Sequence, residues 1–153
     1  MNWLELKILP PLVFLSFAGL LWLAVTIFPW ASFALPAKKV IALVIASLGG
    51  VVAGSSIISF LRAGTTVHPD HPEKTSKLVT TGVNAISRNP MYLSLLLVLI
   101  AWAVYLSNIA SLLLTPLFVA YLNRFQIAPE ERALASLFGI VYDDYCKNVR
   151  RWL

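Results

Sequence analysis

Two short stretches place charged and hydrogen-bonding residues beside long apolar runs. The first, Ser87–Tyr92 (SRNPMY), is followed at once by LSLLLVLIAWAVYL. In the second, NRFQIAPEERAL, Arg124 precedes the adjacent carboxylates Glu130 and Glu131. Carboxylates accept hydrogen bonds from ammonium groups, and arginines pair with carboxylates. Ionisable groups with partners of opposite sign at the edge of a membrane are candidates for function.

The SRNPMY stretch also has a purely structural interpretation. Asparagine is favoured at the N-cap of a helix and proline at its first residue, so Asn89 and Pro90 predict a helix start. The long side chain of Arg88 can extend its charged group to water. This interpretation accounts for three residues without any activity, but it does not explain the charged residues gathered nearby.

The composition is that of an integral membrane protein. Of the 153 residues, 59% are hydrophobic and 12% are charged, with a mean hydropathy of +0.80. Soluble domains carry about twice that charged fraction. Cys146 is the single cysteine, so no intramolecular disulfide forms. We predict one domain over residues 1–153, contacts with membrane lipids and no nucleic-acid partner.

The apolar segments predict an all-α bundle with four membrane-spanning helices. The first two spans are expected at 8–30 and 40–61, each near the roughly 20 residues that cross a bilayer. The apolar run after residue 91 is interrupted by Ser107–Asn108, which divides it into spans at 92–106 and 109–125. A loop over 62–90 connects the second and third spans, and an amphipathic C-terminal helix is predicted over 129–149. That helix lies on the membrane or caps the bundle.

A small-residue pattern within the second predicted span concerns helix packing. Ala46, Gly50 and Gly54 recur at every fourth residue, a spacing that lets two helices approach closely. Such a seam serves within one chain or between two, so the pattern leaves the oligomeric state open.

The distribution of charge predicts an orientation. With four spans, ten of the twelve basic residues and all seven acidic residues fall on one side, and Lys38 and Lys39 fall on the other. The positive-inside rule places the first side, with both termini, in the cytoplasm. A net charge of +5 suits a surface that faces anionic lipid. The short chain and the lack of a targeting peptide suggest a prokaryotic inner membrane.

Three stretches together resemble the isoprenylcysteine carboxyl methyltransferase family, which belongs to a larger group with the phospholipid N-methyltransferases. They are GTTVHP, LVTTGVNAISRNPMY and RFQIAPEERALASLFGIVYDDY, and the resemblance covers about residues 60–150. It implies S-adenosylmethionine as the methyl donor, a membrane-embedded active site and a lipophilic acceptor. A carboxylate acceptor is mildly favoured, because it is ionised at neutral pH and needs no general base.

The resemblance also implies roles for residues at matching positions. It implies that the reacting centre contains Arg88, Arg124 and Glu131, with Glu131 orienting one of the two arginines. The loop 62–88 is expected to close over the cofactor. The implied cofactor site consists of Lys77, Leu78, Val79, Gly82, Asn89, Pro90, Tyr92 and Glu130.

Departures from the family pattern support a second hypothesis. Histidine stands in eukaryotic-type members where this chain has Ser76 and Asn89, and an aromatic residue stands where it has Asn84. A non-catalytic membrane adaptor or lipid-binding protein on the same scaffold is therefore the alternative. His68 and His71 are flanked by prolines and have no further ligand pattern around them, so we predict a solvated loop there and no metal site.

Overall fold

The computed structural model describes residues 5–64 and 77–153, which are helical and contain no strand. The all-α class predicted from the sequence is therefore confirmed. A single-turn helix covers Gly82–Ala85, another covers Pro29–Ala31, and a π-helical segment covers Asn123–Ile127. The α-helices are α1 (Pro10–Ile27), α2 (Lys38–Ala63), α3 (Pro90–Leu106), α4 (Ile109–Leu122), α5 (Ala128–Phe138) and α6 (Ile140–Asn148).

Two helices are long and apolar enough to cross a bilayer. They are α1, with 18 residues, and α2, with 26 residues, which correspond to lengths of about 27 and 39 Å. The apolar helix α3 is shorter, at 17 residues. The apolar side chains of α2 are largely exposed, for example Leu43 at 67% and Val51 at 66%. A helix with so much exposed apolar surface is suited to contact with lipid.

Helices α1, α3 and α4 surround the main hydrophobic core. Leu21, Leu99, Phe118 and Leu122 are completely buried there. The ring of Phe17 packs edge-on against Phe118, with centroids 5.3 Å apart. The core is thus built mainly from the first, third and fourth helices, while α2 packs on α3.

The contact between α2 and α3 depends on a glycine that the small-residue pattern did not single out. A Cβ atom on Gly49 would lie 3.0 Å from Cγ2 of Val98 and 3.1 Å from the backbone oxygen of Ser94. Added Cβ atoms on Gly50 and Gly54 would meet no atom within 4 Å. The seam expected at Ala46, Gly50 and Gly54 is therefore not the close helix contact, because α3 approaches the neighbouring face of α2.

The end of the bundle remote from Arg88, here called the opposite end, is fastened by Asn108. Its side-chain nitrogen donates to the backbone oxygen of Phe28 at 2.9 Å and to Oγ of Ser32 at 3.0 Å. Its side-chain oxygen accepts from the backbone nitrogens of Ala110 and Ser111, which caps α4. The break predicted at Ser107–Asn108 is the turn between α3 and α4.

Helix α4 runs through the π-helical segment into α5 without a break. Pro129 has no N–H and cannot donate to the backbone oxygen of Phe125, as a regular helix requires. That oxygen instead accepts from the backbone nitrogen of Leu6 at 3.1 Å. The wider π turn accommodates the proline, and the result is that Glu130 and Glu131 lie inside a continuous helical path rather than at a free N-terminus.

The C-terminal helix predicted over 129–149 is two helices. Gly139 separates α5 from α6 with φ of 51° and ψ of −127°, a conformation that favours glycine. The chain turns there, and α6 returns towards the bundle, where the Tyr145 hydroxyl donates to the backbone oxygen of Asn84 at 2.5 Å. Tyr142, Tyr145 and Val149 are buried together and contact Leu78. These contacts are those expected of a helix that caps the bundle.

Candidate functional site

The start of α3 is held by the C-terminal end of the chain. The Asn89 side-chain nitrogen donates to the backbone oxygen of Arg151 at 3.0 Å, and Oγ of Ser87 donates to the same oxygen at 3.3 Å. The backbone nitrogen of Arg88 donates to the backbone oxygen of Arg150 at 3.0 Å. Pro90 is the first residue of α3, as predicted, but Asn89 makes no side-chain capping bond. Asn89 thus occupies the predicted N-cap position, but its side chain does not cap the helix because its amide is bound to the C-terminal segment.

Two arginines share one carboxylate beside this helix start. Oε1 of Glu131 accepts from Nη2 of Arg88 at 3.0 Å and from Nε of Arg151 at 3.1 Å. Oε2 of Glu131 accepts from Nη2 of Arg151 at 2.5 Å. The side chains of Arg88 and Glu131 are 14% and 18% exposed, so this contact is shielded from water. We call Arg88, Glu131 and Arg151 the arginine–glutamate triad. Hydrogen bonding to Glu131 raises the pKa of Arg151, which keeps this guanidinium charged.

The neighbouring carboxylate, Glu130, has a different environment. The Tyr92 hydroxyl donates to Oε1 of Glu130 at 2.5 Å. Burial raises the pKa of Glu130 to about 8; the Tyr92 hydrogen bond opposes this shift, and the negative charge of Glu131 adds to it. Glu130 is therefore largely protonated at neutral pH. A cation brought next to it would favour the ionised carboxylate and release a proton.

The loop before α3 brings some predicted cofactor residues towards this cluster. Val79 is buried and Leu78 packs against α6, whereas Lys77 is exposed. Gly82 has φ of 64°, and a Cβ atom on it would lie 3.0 Å from Oγ of Ser59 on α2. The positive φ and the nearby α2 side chain together favour glycine at this position. Ser76, His68 and His71 lie outside the described residues.

Arg124 has a partner outside the carboxylate pair. Its Nη1 donates to Oε1 of Glu5 at 3.2 Å, while Nη2 of Arg132 donates to Oε2 of Glu5 at 2.6 Å. The Glu5 side chain is 4% exposed, and that of Arg124 is 52% exposed. Of the two arginines expected to be oriented by Glu131, Arg88 is the one that it binds.

Sequence reasoning missed three residues that organise this region: Glu5, Arg151 and Trp152. In the C-terminal stretch KNVRRWL, Nε1 of Trp152 donates to Oδ1 of Asn123 at 3.0 Å. A single acidic residue before the first apolar run is a weak signal that Glu5 needs a cationic partner. No local pattern identifies which arginines provide it.

Two buried polar atoms near the triad have no hydrogen-bond partner among the described residues. They are Nε of Arg88 and Oδ1 of Asn84. Buried polar groups in proteins are nearly always satisfied, by protein atoms, by water or by a ligand. An unsatisfied guanidinium donor beside a shielded carboxylate therefore suits a site that receives a further hydrogen-bond acceptor.

Comparison with known proteins identifies the group to which this arrangement belongs. A family model described as PEMT, phospholipid methyltransferase, matches residues 37–140. The chain belongs to the phospholipid methyltransferase family. The match extends from the start of α2 to the first residue of α6 and includes Arg88, Tyr92 and both glutamates. It confirms the resemblance found in the sequence.

Family membership gives the chain a general activity and location. The phospholipid methyltransferase family indicates methyl transfer to a lipid-like substrate, and together with the two long apolar helices it indicates a membrane protein. An uncharacterized protein of Haemophilus influenzae (strain ATCC 51907 / DSM 11121 / KW20 / Rd) is 51% identical over 63 residues, which are 41% of this chain and all of the relative. No solved structure matches the chain.

Proposed function

We propose that this protein transfers a methyl group from S-adenosylmethionine to a lipophilic acceptor at the cytoplasmic edge of a membrane. The favoured acceptor is the carboxylate of an isoprenylcysteine-like or other lipid. The observation that carries the proposal is the meeting of Glu130, Tyr92 and the arginine–glutamate triad at the start of α3. All of these residues except Arg151 lie within the region matched by the family.

The charged groups of this cluster suit the amino-acid end of the methyl donor. Glu130 would bind the ammonium group, which favours its ionised form over the protonated form of the free protein. Arg88 has a buried donor, Nε, that no atom of residues 5–64 and 77–153 accepts from, and it is available for a carboxylate of the donor or of the acceptor. The remaining cofactor contacts are proposed for Lys77, Leu78, Val79, Gly82, Asn89 and Pro90.

The chemistry requires little beyond positioning. S-Adenosylmethionine, when bound, supplies an electrophilic methyl group on a sulfonium. The protein would hold the acceptor in line with that methyl group and keep water away, and both effects lower the barrier. A carboxylate acceptor attacks without losing a proton, so no general base is needed for it.

An amine headgroup is the second candidate acceptor. The matching family is described by phospholipid methylation, and an amine must lose its proton before it attacks. The ionised fraction of Glu130, whose pKa is about 8, is the form that would accept this proton. In that case Glu130 would serve the acceptor, and the donor ammonium would need another partner.

The proposed setting is a four-span bundle in a prokaryotic inner membrane, with both termini in the cytoplasm. The apolar surface of α2 is exposed along its length, which supports lateral entry of a lipid acceptor from the bilayer. Lys38 would then begin α2 on the other side of the membrane.

The test uses detergent-purified full-length protein, methyl-labelled S-adenosylmethionine and fractionated bacterial lipids. We expect label in a lipid fraction, released as volatile methanol on mild alkaline treatment if the acceptor is a carboxylate and kept on a non-volatile amine if the acceptor is an amine. Glu130→Gln should abolish labelling. Asp144→Asn is the matched control, since Asp144 is 61% exposed in an ion pair with Lys147 on the surface of α6. Folded protein that neither labels lipid nor binds the donor would instead support the non-catalytic adaptor.

A further inference from the structure

The C-terminal segment Arg150–Trp152 contacts both halves of the site with its backbone and its side chains. Its backbone oxygens accept hydrogen bonds from the backbone of Arg88 and from the side chains of Ser87 and Asn89. These bonds join residues more than 60 positions apart in the chain. The start of α3 therefore has its position fixed by residues that follow α6.

The side chains of the same segment bind the other half of the site. Arg151 uses two nitrogens to hold both oxygens of Glu131, a geometry that fixes a carboxylate in orientation as well as in distance. Trp152 binds Asn123 in the π-helical segment that leads into α5. One short segment thus connects the helix start with the helix that carries the carboxylate pair.

We propose that Arg151 is a positioning residue of this site. Through Glu131 it fixes the carboxylate pair against the start of α3, and its positive charge favours the ionised form of Glu130. The link to turnover rests on the proposed function, whereas the geometric and electrostatic parts do not. The region matched by the family model ends at residue 140, so this role lies outside it.

The charges around Glu130 show why Arg151 should matter. Tyr92 on α3 donates to Glu130, and Glu131 on α5 disfavours its ionisation. Glu131 in turn binds Arg88 and Arg151. Tyr142 of α6 lies close enough to Glu131 and Arg88 to interact with both electrostatically. Two guanidinium groups on one carboxylate give the triad a net charge of +1. Without Arg151 this net positive charge is lost, and ionisation of Glu130 becomes less favourable.

If the C-terminal segment only stabilised the fold, substitutions in it would have a different effect. Its variants would lower stability without changing the protonation of Glu130 in the protein that remains folded. Arg150 provides a matched control, because it is the adjacent arginine, its side chain is exposed, and only its backbone oxygen contacts Arg88.

The experiment is an infrared titration of the full-length protein in detergent, following the protonated carboxyl band that is absent in Glu130→Gln. Arg151→Gln should raise the midpoint of the Glu130 titration by about one pH unit, as expected for removing a unit positive charge from the carboxylate next to Glu130 in the chain. Arg150→Gln should leave the midpoint unchanged, and Arg151→Lys, which keeps the charge, should stay near the wild-type value. A folded Arg151→Gln protein whose midpoint equals that of Arg150→Gln would overturn the electrostatic part. If the glutamine variant does not fold, Arg151→Met, which keeps the packed stem, gives the same comparison.

The positioning role of Arg151 is tested by a separate kinetic measurement. Arg151→Lys keeps the charge but loses the bidentate hydrogen bonding to Glu131, so we expect kcat/KM for methyl transfer to fall roughly tenfold. A kcat/KM equal to that of wild type in Arg151→Lys would contradict the positioning role. The titration needs no methyl donor, so a protein without transferase activity would disprove the proposed function while leaving the titration a valid test of Arg151.

Discussion

Asn108 and Asn89 each precede an apolar helix, yet the side chains of the two asparagines bind different partners. Asn108, which is completely buried, caps α4 with its oxygen and binds the preceding loop with its nitrogen. Asn89 leaves α3 without a side-chain cap and donates instead to the C-terminal segment. An asparagine before an apolar helix thus stabilises a turn at the opposite end. At the end of the bundle that contains Arg88, here called the charged end, an asparagine in the same context connects parts of the chain that are far apart in sequence.

The surroundings of the two asparagines explain the difference. At the opposite end, uncharged donors and acceptors satisfy one another within the contact between Asn108, Phe28 and Ser32. At the end that contains Arg88, two arginines share one carboxylate, and Nε of Arg88 has no partner within the part of the chain that the structure describes. The first end is therefore organised for stability, whereas the second retains binding capacity, which is the pattern expected of a ligand site.

The largest expected effect is a pH dependence that arises only at the charged end. The pKa of Glu130 is raised from 4.5 to about 8, so the folded state retains a proton that the unfolded state releases. The contribution of Glu130 to stability is thus greatest below about pH 4.5 and falls as pH rises towards 8, by a few kcal/mol at about 1.4 kcal/mol per pKa unit. Thermal unfolding in detergent between pH 5 and 9 measures this.

The variant Glu130→Gln removes the titrating group and should flatten that decline. Asp144→Asn should keep it, because that carboxylate is exposed. An equal decline in wild type and Glu130→Gln would show that another group is responsible.

A smaller effect is expected at the opposite end. Asn108→Ala removes the cap of α4 and the bonds to Phe28 and Ser32, and we expect a loss of about 3 kcal/mol in the free energy of unfolding. Asn108→Asp keeps an oxygen that can cap α4 but buries a carboxylate beside the oxygens of Phe28 and Ser32, so it should be at least as damaging. Binding of S-adenosylhomocysteine by the folded fraction should match that of wild type for both variants. Weakened binding would mean that the two ends are coupled.

The smallest stability effect is expected for Asn89→Ala, which loses one hydrogen bond to the backbone oxygen of Arg151 at a cost of about 1 kcal/mol. For ligand binding the order should be the opposite: Asn89→Ala should reduce affinity more than Asn108→Ala. Affinity for S-adenosylhomocysteine should fall about tenfold in Asn89→Ala, because the start of α3 is no longer held against the C-terminal segment. Calorimetry on both alanine variants makes the comparison, and equal affinities would remove the distinction between the two ends.

The fold was largely predictable because hydropathy and turn residues act locally. The apolar runs form helices, Pro90 begins α3, and Ser107–Asn108 forms the turn that separates α3 from α4. The break at Gly139 was missed because the helical spacing of apolar residues continues across it, and only the backbone conformation reveals the turn.

The site was predictable in part. Arg88, Tyr92, Glu130 and Glu131 were selected from the sequence, and the structure brings them together. The bonds made by Glu5, Arg151 and Trp152 depend on contacts between residues far apart in the chain, such as the 119 positions between Glu5 and Arg124. Local patterns carry no information on such pairings, which is why Arg124 was expected to join the carboxylate pair.

The most direct test of the account is calorimetric binding of S-adenosylhomocysteine to the purified protein at pH 7, in buffers of different ionisation heat. We predict specific binding with release of close to one proton, since the ligand ammonium would ionise Glu130. Both the binding and the proton release should be lost in Glu130→Gln and kept in Asp144→Asn. Absence of binding in well-folded wild-type protein, or equal binding in Glu130→Gln, would contradict the assignment of the donor site to this cluster.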